Sequence, residues 1–292
     1  MKNPLFKGAA TALITPFSDG KIDIKALKKL TEFQIEEGID ALVVCGTTGE
    51  APTLTRKEKI EITAAVAEVS NGRVPVIAGT TCNDTASSVE LSREAVSVGA
   101  DGILAVTPYY NRPGASGLLR HFLTIAEGAG KPTILYNIPS RTGTDIPDSV
   151  YDGFASHPMA AGVKEASGSI SKCAYIASRF GSELPLYSGN DDMTLPVLAI
   201  GGYGVISVVS NMFPKQMSEL CKLYEADREK CLKLYHRFIP LMRSLFTETN
   251  PMPIKSGMEK LGLCHSELRL PLTRASAKCE ENLFTEIDRF IQ

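Results

Sequence analysis

A rhythm in the chain limits its possible folds more than any other feature. Short apolar runs at 9–14, 41–45, 74–78, 102–106, 133–136, 162–164, 186–188 and 204–208 alternate with longer amphipathic stretches. The runs are too short for helices, mostly rich in β-branched residues, and apolar at both alternating positions. Parallel strands covered on both faces read this way. Between the runs, Thr55-Arg56-Lys57-Glu58 has the form of a capping box, opening a helix whose Ile60, Ala64 and Ala67 are expected to face inward. Gly38, Gly72, Gly99 and Gly130 stand where helices should end. They recur about every 30 residues, the size of one strand–helix unit. Eight such strands predict an α/β fold, a (β/α)8 TIM barrel.

The strand pattern stops near residue 222, while 231–245, 254–261 and 275–291 look helical. The expected organisation is a catalytic barrel over 1–222 with a small C-terminal helical region over 223–292. No GxGxxG follows a first strand and no GxxxxGK[ST] occurs, so the usual nucleotide-binding sheets lose their signature. Segment 193–214 carries no charge and is long enough to span a bilayer. Pro196, Gly201, Gly202 and Gly204 break it, so it is expected to form a buried helix, a glycine turn and a buried strand.

Charge narrows the partners. Lys and Arg number 31 against 33 Asp and Glu, with no basic tract, so neither nucleic acid nor a membrane surface is an expected partner. The seven cysteines are scattered and contain no CxxC, which suggests neither a disulfide framework nor a metal site. No long apolar stretch follows Met1-Lys2-Asn3-Pro4, and a reducing cytoplasmic location is expected. The histidines His121, His157, His236 and His265 show no ligand spacing.

Barrel chemistry gathers at the C-terminal ends of strands. The second strand runs into Gly46-Thr47-Thr48-Gly49-Glu50, whose hydroxyls and backbone N–H groups suit a small carboxylate. A plain glycine-rich turn explains that motif equally well. The fifth strand runs into Tyr136-Asn137-Ile138-Pro139-Ser140-Arg141-Thr142-Gly143, placing a phenol at the mouth and a guanidinium on the loop. The sixth ends in Gly162-Val163-Lys164-Glu165. A lysine finishing a buried strand has either a task or a partner. Desolvation favours the neutral amine that attacks carbonyls and forms a Schiff base. An ion pair with Glu165 is the alternative, but adjacent strand residues face opposite ways.

Those segments, with Tyr109-Tyr110-Asn111 and Asn250-Pro251-Met252-Pro253-Ile254-Lys255, occur in an order that resembles the dihydrodipicolinate synthase family of the pyruvate-dependent class I aldolase superfamily. The resemblance covers essentially the whole chain. It implies condensation of pyruvate with L-aspartate 4-semialdehyde in diaminopimelate and lysine biosynthesis. Lys164 would form the imine, so no separate cofactor or metal is implied. Tyr136 would relay protons, aligned by Thr48 and by a Tyr110 supplied from a neighbouring subunit. Thr47 and Thr48 would hold the pyruvate carboxylate, Gly189 and Ile206 would shape the pocket, and Arg141 would hold the semialdehyde carboxylate. The family resemblance further implies a homotetramer, a dimer of tight dimers.

The same superfamily contains N-acetylneuraminate lyase and sugar-acid aldolases. Thr47-Thr48, where the sialic acid enzymes usually carry Ser-Thr, and Arg141 favour the synthase. A non-catalytic barrel binding an oxo acid is possible in principle, but Lys164, Tyr136 and Arg141 are all present. In lysine-inhibited members an effector lysine binds at the tight-dimer interface. The matching positions are Ala51, Pro52, Arg56, Lys59, Asn83, Ser87 and Tyr109. Arg56 and Lys59 add positive charge there and Ser87 lacks a carboxylate, so weak or absent feedback is expected.

Overall fold

The computed structural model describes residues 4–292; Met1, Lys2 and Asn3, which open the segment read above for a leader, lie outside them. Eight parallel strands close a barrel: β1 (Gly8–Ala12), β2 (Ala41–Val44), β3 (Val76–Gly79), β4 (Gly102–Val106), β5 (Thr133–Asn137), β6 (Ala160–Glu165), β7 (Leu186–Ser188) and β8 (Gly204–Ser207). Each strand pairs with its sequence neighbours, and β1 pairs with β8 to close the ring. The seam is made by two glycines. Gly204 has φ +152°, and a Cβ there would lie 1.7 Å from the Gly8 carbonyl oxygen, so no side chain fits.

Helices cover the outside in the expected alternation. The capping box at Thr55 forms, with its hydroxyl accepting from the Glu58 N–H and Glu58 accepting from the Thr55 N–H. Gly38, Gly72, Gly99 and Gly130 all adopt positive φ at helix ends. The inward face of the helix Arg56–Ser70 differs from expectation. Ile62, Thr63, Ala65, Val66 and Ser70 are the buried ones, whereas Ile60, Ala64 and Ala67 are half-buried at its sides. A barrel helix touches the sheet and two flanking helices, so its apolar arc is wide and its centre is poorly marked in the sequence.

Segment 193–214 resolves into the helix Thr194–Ala199, strand β8 and the turn Val209–Asn211. Among the described residues no helix is long and apolar enough to cross a membrane. The helix Pro214–Ala226 packs against β1 and runs through position 222; Asp227 then caps the helix Arg228–Ser244. The helices Met252–Lys260 and Ala277–Ile291 follow. Phe238 and Phe290 stack at 4.3 Å, and Phe213 meets Phe290 edge-on at 4.9 Å, fixing the appendage to the barrel. Burying each such ring contributes about 1.5–3 kcal/mol. The appendage thereby carries residue 250 over the mouth of the barrel.

Candidate active site

Lys164 lies near the end of β6, directly across from Tyr136 on β5 and from Tyr187 on β7. It is 5% exposed, and its Nζ stands 4.3 Å from the centre of the Tyr136 ring. Glu165 points the other way. Its carboxylate accepts from Asn137 Nδ2 at 2.8 Å, from the Ser167 N–H at 2.7 Å and from the Tyr151 hydroxyl at 3.3 Å. Burial beside that carboxylate pushes the Tyr151 phenol well above its ordinary range. Strand alternation therefore separates Lys164 from Glu165. Among the described residues no carboxylate comes within ion-pair distance of Lys164.

Asp191, buried just beyond β7, lies close enough to feel the Lys164 charge. It accepts from the Val208 N–H at 3.1 Å and the Val209 N–H at 2.9 Å. Burial pushes this carboxyl up, while the Ser207 hydroxyl, those two amides and the Lys164 ammonium pull it down. Gly189 lies beside Lys164: a Cβ there would meet Ala166 Cβ at 2.6 Å and Lys164 Cε at 3.2 Å, so any side chain would press on the lysine.

The loop after β2 enters through Cys45 and leaves through Glu50, both with left-handed backbone, at φ +54° and +58°. Glu50 is fully buried. It accepts from Lys255 Nζ at 2.5 Å and from the Arg269 N–H at 3.0 Å, fastening the loop to the C-terminal region. Thr48 Oγ1 accepts from Asn250 Nδ2 at 3.0 Å. The Asn250 carbonyl in turn accepts from Arg141 Nη2 at 2.8 Å.

Lys164, Tyr136, Thr47, Thr48, Arg141 and Gly189 thus line one cavity of about 420 Å³ at the C-terminal mouth of the barrel. Two expected residues stand apart. Ile206 is fully buried in the apolar layer within the barrel, packed in one cluster with Tyr136. Tyr110 is 91% exposed with φ +69° and does not line the cavity of its own chain. No hydrogen bond joins Thr48 to Tyr136 or Tyr110 among the described residues. Sequence reasoning passed over Asn250 and Asp191. For Asn250 the signal was there, since it opens the Asn250-Pro251-Met252-Pro253-Ile254-Lys255 motif, but nothing local links it to a strand end.

Such a mouth, with a buried strand-end lysine over a phenol and hydroxyls facing a guanidinium, can bind two carboxylates around one amine nucleophile. Residues 5–289 match the dihydrodipicolinate synthetase family. The chain belongs to that family. Relatives named 4-hydroxy-tetrahydrodipicolinate synthase include one from Leptospira biflexa, 44% identical over 97% of both chains. Another, from Sulfurihydrogenibium sp., is 45% identical over 96% of both. The crystal structure of dihydrodipicolinate synthase from Aquifex aeolicus superposes with a TM-score of 0.95 at 40% identity, covering 98% of each chain.

Proposed function

We propose that this chain condenses pyruvate with L-aspartate 4-semialdehyde through an imine on Lys164. The family is pyruvate-dependent and uses no metal cofactor, and the activity is that of a 4-hydroxy-tetrahydrodipicolinate synthase, a lyase of the class I aldolase type in lysine and diaminopimelate biosynthesis. The observation that carries the finer reading is Lys164 itself, buried, opening on the cavity, and free of an adjacent carboxylate. The Lys164 amine adds to the pyruvate carbonyl and water leaves, giving an iminium. Loss of a methyl proton yields an enamine, which forms the new carbon–carbon bond at the aldehyde carbon. Tyr136, packed against the lysine, moves these protons. Thr47 and Thr48 seat the pyruvate carboxylate, with Gly189 leaving room beside Lys164 and Ile206 supporting the floor. Arg141 takes the carboxylate of the semialdehyde, held in place by the Asn250 carbonyl.

Tyr110 joins this machinery from a second copy of the chain. Its side chain is almost fully exposed and does not line its own cavity, which suits a residue delivered across a dimer. A homotetramer built from two such dimers, working in the cytoplasm, completes the proposal. N-acetylneuraminate lyase activity is disfavoured by the names of the relatives and by Arg141.

The test is chemical. Borohydride with pyruvate should add a stable mass to Lys164, and Lys164→Ala should remove it. A wild-type protein of unchanged mass would sink the imine. A coupled assay with both substrates, run beside N-acetylneuraminate, tests the choice of reaction.

A further inference from the structure

Asn250 is 6% exposed and touches both halves of the site. Its carbonyl holds Arg141, and its amide Nδ2 donates to Thr48 Oγ1. A hydroxyl has one proton and two acceptor lone pairs. With an amide N–H filling one lone pair, the Thr48 proton has to point elsewhere, and no protein acceptor takes it among the described residues. Turned over, the amide would present its oxygen and take that proton for itself. The bond to Thr48 is what orients the amide, since Asn250 Oδ1 is buried with no hydrogen-bond partner among the described residues, while the backbone on either side is held firmly. Five residues on, Lys255 Nζ is fixed to Glu50 at 2.5 Å and to the Glu267 carbonyl at 2.7 Å, and Glu50 lies only two residues beyond Thr48. Asn250 and Thr48 therefore sit at the two ends of one short, buried, charge-locked bracket.

We propose that Asn250 is a positioning residue that aims the Thr48 hydroxyl proton into the cavity, and so sets the direction from which Thr48 aligns the Tyr136 relay. This rests on the reading of Thr48 as the hydroxyl that aligns the Tyr136 relay. It gives the C-terminal region a part in the reaction: a group 202 residues away in sequence fixes one rotor at the strand-two loop.

Asn250→Asp tests it through pH. The groups facing position 250 are the Thr48 hydroxyl and the Arg141 guanidinium, with Lys164, Tyr136 and Glu248 around the same cavity. Burial raises the introduced carboxyl and Arg141 lowers it. Above its pKa the introduced carboxylate accepts the Thr48 proton and turns it away from the cavity. Below it, the protonated carboxyl donates as the amide did. The ratio of variant to wild-type kcat should therefore fall about tenfold or more as pH rises and recover as pH falls. Asn250→Ala, which keeps the carbonyl bond to Arg141, should lower kcat by a constant factor at every pH. A flat ratio for Asn250→Asp would overturn the proposal.

A double-mutant cycle gives a second measurement that does not depend on the Asp variant folding. If Asn250 acts through Thr48, adding Asn250→Ala to Thr48→Val costs no further kcat, whereas fully additive losses overturn the role. Borohydride trapping of pyruvate separates the two levels. Failure of the wild-type protein to form the Lys164 adduct defeats the underlying reading. Adducts in the wild type and all variants, with additive losses or a flat ratio, defeat the positioning role alone.

Discussion

Two buried lysines in this molecule have opposite fates. Lys255 and Lys164 both stand over an aromatic ring, 4.2 Å from the centre of Phe17 and 4.3 Å from that of Tyr136. Lys255 also has Glu50 at 2.5 Å, with both side chains wholly out of solvent. Burial lowers its ammonium and Glu50 pulls it back up. Lys164 has no such neighbour, because strand alternation turns Glu165 outward and Asp191 spends its acceptors on the Val208 and Val209 amides. Burial of a lysine is therefore no mark of a nucleophile. The counter-ion decides: Lys255 is completed within the chain, whereas Lys164, on the proposed reading, is completed by what enters the cavity.

Exchanging each lysine for methionine puts that contrast under the greatest strain. Lys164→Met should lose activity to background and lose the borohydride adduct, with thermal stability little changed, since no carboxylate lies within ion-pair distance of Lys164 to be left unpaired. Lys255→Met should do the reverse. It leaves Glu50 buried and unpaired, costing about 3–5 kcal/mol in stability, while protein that stays folded keeps the pyruvate adduct. Glu50→Gln combined with Lys255→Met should recover most of that loss. A stable Lys255→Met protein without an adduct would refute the division of labour.

Much of this contrast was legible in the sequence. The rhythm of apolar runs gave eight strands, and the strand ends put Thr47, Thr48, Tyr136, Arg141 and Lys164 around one mouth. The uncharged segment 193–214 also resolved as its prolines and glycines indicated. What stayed hidden depends on contacts between distant segments. Lys255 reads as an ordinary helix lysine until the chain folds and Glu50 meets it 205 residues away. Asn250 reaches Thr48 only because the C-terminal helices lie over the barrel. Asp191 looks like one of two loop acids, and only burial reveals its amide partners.

If Lys164 is completed from outside, two further losses follow. Tyr110→Phe should reduce kcat about 100-fold, the ordinary scale of a lost proton-relay group, with the pyruvate adduct intact. Mixing refolded Tyr110→Phe and Lys164→Ala chains should then restore about a quarter of wild-type activity, because random pairing gives half the dimers one complete site. No recovery in the mixture would place Tyr110 outside the partner's site. Arg141→Lys should cost about tenfold to 100-fold in kcat/KM for the semialdehyde, since an ammonium does not replace a bidentate fork, and leave pyruvate trapping unchanged. Kinetics equal to wild type would remove Arg141 from substrate binding.

The smallest effect concerns a second cavity, of about 360 Å³, that shares Thr47, Tyr136, Ile138 and Arg141 with the first and runs out to Ala51, Pro52, Lys59, Cys82 and Tyr109. Of the two cations expected to repel an effector lysine, only Lys59 faces it. Arg56 is turned to Glu90 and Glu94 on the next helix, at 2.8 Å each, so its charge is already answered. Ser87 offers no carboxylate, and its N–H serves as the donor to the cap of its helix, Asp84. An incoming lysine would bring two ammonium groups into a cavity whose walls carry Lys59 and Arg141 but no carboxylate, so its ammonium groups meet like charge without a counter-ion. Lysine below about 1 mM, which fills only sites worth more than about 4 kcal/mol, should leave the initial rate unchanged. Half-inhibition in that range would show that Lys59 swings clear of the cavity. Lys59 would then resemble Lys255, a cation whose anion arrives from a distant segment, in this case one on a second copy of the chain.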